Sequence, residues 1–237
     1  MNGIFLTQGL SLGAFDDLAT SLRSRGVLER SGFYLSGSAD YRQYLTVHPN
    51  FEKSDHTLLK EWDLFRRASD ESPSTTALRE LERKLGIATL WEAIVADRRL
   101  LSGPEFSYRL SYSPQFTHTE MLSIALSVFR GVEKLFDDIQ PSFVVSFICV
   151  TIGEYAAYLI ARSRGIPFLN LRPSRIRNYF TYGEGISEPS QLVRSTYEER
   201  LKQPPNDDWD ALAEKVLGEF RGGFSAYEGV VPAAHAK

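Results

Sequence analysis

The chain has 237 residues, 43% of them apolar and 24% charged, a composition that supports a sizeable core and excludes a disordered or fibrous chain. A formal net charge of -3 at pH 7 provides no global field toward nucleic acid or an anionic membrane, so any anion site has to be local. The single cysteine excludes an intramolecular disulfide framework, and the apolar runs are far shorter than the roughly 20 residues that span a bilayer. No basic segment, apolar stretch and cleavage site open the sequence, so a cytoplasmic location is expected, with Cys149 as a small buried core residue.

In chain order, residues 3–8 form a short apolar run that reads as a strand, closed by Gly9-Leu10-Ser11-Leu12-Gly13. Phe15, Leu18, Ala19 and Leu22 then recur at helical spacing until Gly26, and residues 31–36 read as a second strand, completing a βαβ unit. From 54 to 101 the period turns helical, first through Leu58, Leu59, Trp62 and Phe65, then Leu78, Leu81 and Leu85, then Leu90, Trp91, Ile94 and Val95. Breaks at Ser72-Pro73-Ser74 and at Gly86 divide this insertion into three helices. After a loop at Gly103-Pro104, a helix is predicted over 117–138, started by Thr117 or Thr119 with Glu120 in its first turn.

Residues 143–148 have the continuous apolar, β-rich character of a strand covered on both faces. A helix over 151–164 stops at Gly165, and residues 166–171 form the next strand, with Pro167 near its start where a missing donor is tolerated. Strand, helix and strand within about 30 residues is the parallel-sheet unit. The expected class is therefore α/β: a Rossmann-like parallel sheet with helices on both faces, a helical insertion near 54–101 and a helical C-terminal segment. That last segment consists of helices over 188–202 and 207–221, split by Pro204-Pro205. One domain is expected over 1–222, with 223–237 as a linker or tail.

Ligands of open α/β sheets bind beyond the carboxyl ends of the strands, where the strand order reverses. That places Gly9, Leu10, Ser11 and Gly13 on one side of a crevice and Thr151 and Glu154 on another, bordered by Arg172, Arg175 and Arg177. The glycines either admit a ligand close to the backbone or simply make a tight turn. Glu154 is either a helix-start carboxylate stabilised by the macrodipole or a base able to take a hydroxyl proton. The arginines either grip a phosphate or carboxylate bidentately or are solvated. Leu10 and Leu12 are expected to be exposed in the crevice, and Glu154 and Arg175 to face it from opposite sides, with Glu154 open to solvent. Arg98 and Arg99 are read as ending a helix, where cations suit the dipole. His48, His56, His118 and His235 lack metal-ligand spacing, and Gly-x-Gly-x-x-Gly, Walker and Gly-x-Ser-x-Gly patterns are absent, so neither a metal nor a cofactor is expected.

The stretch from Phe136-Asp137-Asp138-Ile139-Gln140-Pro141 through Glu154-Tyr155 to Arg164-Gly165-Ile166-Pro167 resembles N-terminal domains of bacterial GT-B glycosyltransferases of capsule and surface-polysaccharide assembly. Leu90 to Arg98 and Arg172 to Tyr182 look similar to that group too. The resemblance implies an acceptor-side domain, with a carbohydrate acceptor facing the Gly9 to Gly13 loop and Glu154. A nucleotide sugar would be held by a second domain, which has no counterpart in these 237 residues and would be supplied as a separate domain or chain. It also implies a cytoplasmic enzyme, peripheral to the inner membrane or free of it. The alternatives are a sugar-nucleotide epimerase-like domain and a non-catalytic binding or assembly module.

Overall fold

A computed structural model of the protein describes residues 1–9, 11–68, 73–102, 116–174 and 179–221. Strand β1 (Asn2–Thr7) has five of its six residues buried, as a strand covered on both faces requires. It pairs in parallel with β2 (Arg30–Leu35) on one side and β4 (Phe143–Phe147) on the other, so that Leu6 lies opposite both Tyr34 and Ser146. β2 pairs in parallel with β3 (His56–Lys60). With β5 (Phe168–Pro173) and β6 (Phe180–Gly183), the sheet runs in the order β3-β2-β1-β4-β5-β6. This is the expected α/β, Rossmann-like architecture. Strand order reverses between β1 and β4: the chain steps outward from β1 to β3, then returns to the other flank of β1.

The chain divides into two compact units, Met1–Asn170 and Leu171–Lys237, with the boundary inside β5. In the first unit, one sheet face is aromatic: Phe5 stacks on Phe33 at 5.1 Å and meets Phe15 of α1 (Ser11–Ser24) at 6.0 Å. The other face receives α7 (His118–Ile139), whose long stripe from Met121 to Ile139 is buried. Gly32 permits that approach, because a Cβ there would lie 2.9 Å from Ile139 and 3.0 Å from Leu135. Thr117 caps α7 in a reciprocal capping box with Glu120, which settles its start. Helix α8 (Ile152–Ser163) ends before Gly165, whose φ of +65° suits a residue without Cβ.

Four features differ from the sequence reading. The stretch from 54 opens with β3, because Leu58 and Leu59 mimic a helical stripe with Trp62 and Phe65 while their backbone completes the ladder to β2. The rest of the insertion forms four helices instead of three, α3 (Glu61–Ala68), α4 (Thr75–Leu85), α5 (Trp91–Ala96) and α6 (Arg98–Ser102), with breaks where Pro73 and Gly86 lie. A helix α2 (Ser38–Val47) was not expected, since Tyr41 is its one buried residue and no apolar stripe announces it. α1 begins at Ser11, which turns Leu12 inward; the expectation that Leu12 is exposed is corrected. In the second unit, α9 (Gln191–Leu201) and α10 (Asp207–Arg221) stand where helices were predicted. The Gly103-Pro104 loop and the 223–237 tail lie outside the described residues.

Candidate functional site

Because β1 and β4 are parallel neighbours, the turns that follow them open side by side at the point of order reversal. After β1, Gly9 takes φ +52° and the space where a Cβ would stand is open to 4 Å. Ser11 closes this turn: its hydroxyl accepts from the Gln8 N-H at 2.8 Å and its own N-H donates to the Gln8 carbonyl at 3.1 Å. Gly13 sits in the first turn of α1, where a Cβ would make ordinary contact with Tyr44, so it is a helix residue and not a loop glycine. After β4, Ile148 has φ +53°. A β-branched side chain in the left-handed region costs of order 1–3 kcal/mol, and such strain clusters at functional sites. Ile148 and Val150 are 39% and 41% exposed, two large apolar residues left open in the turn after β4.

The start of α8 is saturated by the chain's own groups. The Thr151 hydroxyl accepts from the Glu154 N-H at 3.3 Å, and Glu154 Oε2 accepts from the N-H groups of Val150 at 2.9 Å and Thr151 at 3.0 Å. Asp97 Oδ2 takes the Ile152 N-H at 3.0 Å. Glu154 is 0% exposed, which corrects the expectation that it faces solvent: the capping-box geometry folds its carboxyl back beneath the helix start. Burial pushes that carboxyl up to about 8, against the N-H groups of Val150 and Thr151, with the Glu61 charge adding to the rise. Its Oε1, and the hydroxyl of Ser146 on β4, are buried without a hydrogen-bond partner among the described residues.

Beside these turns lies a buried polar network that the sequence reading missed. Tyr34, the penultimate residue of β2, donates to Glu61 Oε1 at 2.7 Å, and Glu61 immediately follows β3. Arg99 donates to Glu61 Oε2 at 2.7 Å and Oε1 at 2.9 Å, to Asp97 Oδ2 at 2.6 Å and to the Ser36 carbonyl at 3.0 Å. Burial works against the Arg99 charge, yet the Asp97 and Glu61 carboxylates outweigh it and hold its pKa above the ordinary value. Asp97 caps the end of α5 and Arg98 opens α6, so these arginines do not end a helix as expected; the carboxylates explain Arg99. The Asp97-x-Arg99 spacing was the available signal. It carried no hint of Glu61, which is far away in sequence.

Gly153 is fixed by this network. A Cβ there would come within 1.9 Å of the Tyr34 hydroxyl, and Tyr34 is fully buried and tied to Glu61, so it cannot move aside. Gly153→Ala should therefore destabilise the protein by about 1–3 kcal/mol through overpacking, read as a lower urea midpoint at unchanged slope. Wild-type stability in that variant would show that Tyr34 does not occupy this position.

The structure thus brings Gly9 and Ser11 together with Thr151 and Glu154 at adjacent strand ends. Arg172 belongs to the second unit, where it donates to the carbonyls of Gly185 at 3.1 Å and of Ile186. Leu10, Arg175 and Arg177 lie outside the described residues, and with them the expected pairing of Glu154 with Arg175 across a crevice. No protein-family model matches the chain, and no curated protein matches it at a significant level. Among the described residues, no cluster of three or more His, Cys, Asp or Glu side chains suits a metal, and no helix is long and apolar enough to cross a membrane. Cys149, at the end of the turn after β4, is buried and forms no disulfide.

Proposed function

We propose that the unit Met1–Asn170 is the acceptor-side domain of a cytoplasmic glycosyltransferase of surface-polysaccharide assembly, binding a carbohydrate at the crevice between the β1 and β4 turns. A nucleotide sugar is then supplied by a separate domain or chain. The observation that carries this reading is the reversal of strand order between β1 and β4, marked by the strained, exposed Ile148. Ile148 and Val150 offer an apolar floor for the carbon face of a sugar ring, and Gly9 leaves the backbone of the opposite turn approachable. Any negative group of the ligand belongs near α1, whose first turn holds no acidic residue, because the N-H groups of Val150, Thr151 and Ile152 at the start of α8 already donate to Glu154 and Asp97. Glu154 then acts as a positioning residue that fixes the Val150-Thr151 turn.

Calorimetric titration with oligosaccharide acceptors and nucleotide sugars tests this. Gly9→Val, which places a branched side chain in the open space at a positive φ, should weaken carbohydrate binding at least about tenfold, the equivalent of roughly 1.4 kcal/mol. Equal affinity in that variant, with carbohydrate bound, would remove the crevice from the site. A second reading, a non-catalytic assembly module, is favoured by the exposed Leu192, Val193, Tyr197 and Leu201 of α9 and Trp209 and Leu212 of α10. A stable partner complex unaffected by crevice variants would support that reading instead.

A further inference from the structure

The second unit contains a groove of about 380 Å³, lined by Arg172, Thr181, Tyr182, Val193, Arg194 and Tyr197 among others. Its volume falls in the range of small-molecule clefts. Among the described residues the lining includes two arginines and no carboxylate, so these side chains favour negative charge in the groove. Arg172 is held in place by neutral carbonyls, those of Gly185 and Ile186, which orient the guanidinium without cancelling its charge. Arg194 donates through Nε to Glu198 at 2.9 Å on the solvent side of α9, and its side chain is 62% exposed. Thr181 Oγ1 is buried without a hydrogen-bond partner among the described residues, a hydroxyl in want of an acceptor. Ser190, also in the lining, caps the start of α9 by accepting from the Val193 N-H at 3.3 Å, and Glu184 Oε2 accepts from the Gln191 N-H at 3.3 Å, so the arginines and not the helix start meet the anion. Between these polar groups stand the rings of Tyr182 and Tyr197 and the Val193 side chain, which suit an apolar body.

The geometry points to a binding site for a small organic anion, a phosphate monoester or carboxylate carried on an aromatic or aliphatic group, independent of the proposed carbohydrate crevice. The anion meets the arginines and Thr181, and the apolar group lies on the tyrosines and Val193. The two halves act together, so a ligand that carries both groups binds tighter than either fragment.

The test is titration of the full chain with phenyl phosphate, inorganic phosphate and phenol, followed by NMR or calorimetry. Phenyl phosphate should bind at least about tenfold tighter than either fragment. Arg194→Ala, at an exposed position that leaves the turn at Gly185 intact, should weaken phenyl phosphate about tenfold and leave phenol unchanged. Tyr197→Ser should weaken phenyl phosphate and phenol together. Arg172→Ala also disturbs the Gly185-Ile186 turn, so the conclusion rests on the Arg194 and Tyr197 variants. Phenyl phosphate binding no tighter than phenol or phosphate, or with affinity unchanged in Arg194→Ala, would overturn the site. Neither outcome bears on carbohydrate binding by the first unit, which is read from separate titrations.

Discussion

Arg99→Ala should cost about 3–5 kcal/mol of folding free energy, the largest effect expected of any single side-chain truncation in the first unit. Glu61 and Asp97 have side chains only 4% and 1% exposed, and Arg99 is the cation both of them meet. Removing it leaves two buried carboxylates facing each other, with the Tyr34 hydroxyl and the backbone N-H groups of Ile152 and residue 99 as the compensation that remains. The guanidinium is 32% exposed, so water replaces part of the lost interaction and the lower end of the range is expected. Arg99→Lys should recover only part of the loss, because one ammonium cannot reproduce the fork that spans both carboxylates and the Ser36 carbonyl. Adding Glu61→Gln to Arg99→Ala should restore stability instead of lowering it further, since it removes one stranded charge. Urea unfolding of the wild type, Arg99→Ala, Arg99→Lys, Glu61→Gln and the double variant decides this: a loss below about 1 kcal/mol in Arg99→Ala, or simple additivity of the Arg99→Ala and Glu61→Gln effects in the double variant, would show that the network is solvated.

The second large effect is on pH dependence. Glu154 has an ordinary carboxyl value of 4.5 when unfolded and about 8 when buried in the fold. Between those values the folded protein holds a proton that the unfolded chain has released, so folding stability is greatest below pH 4.5 as far as this group is concerned. It declines as pH rises toward 8, by up to about 1.4 kcal/mol per unit, and is flat above. Glu154→Gln retains an oxygen for the Val150 and Thr151 N-H groups and so keeps the capping box. This variant should match the wild type near pH 5, exceed it at pH 8 and show a flatter profile between. The same downward slope in both proteins would show that Glu154 does not carry the proton.

Much of the fold was legible because long-range order here follows from local pattern. Residues 143–148 are apolar without alternation, as a doubly covered strand must be, and Thr117 and Thr151 each stand three residues before a glutamate, the mark of a capped helix start. β3 was not legible, because the adjacent Leu58 and Leu59 show no alternation and fall at helical spacing from Trp62 and Phe65. The site was half legible. Topology alone placed Gly9 and Thr151 at adjacent strand ends, since their turns follow two apolar strands of one parallel unit. Whether a helix-start carboxylate faces water or the sheet depends on what packs above it, and Glu154 is covered. The Tyr34, Glu61 and Arg99 contacts join residues 27 to 38 positions apart, beyond the reach of any spacing rule.

The crevice between β1 and β4 as a carbohydrate site is tested most directly by amide shift mapping of the full chain during titration with oligosaccharide acceptors. The expected result is saturable shifts concentrated at Gly9, Ser11, Ile148 and Val150, with the α9 and α10 amides unchanged. Shifts confined to the second unit, or none at millimolar carbohydrate, would contradict it.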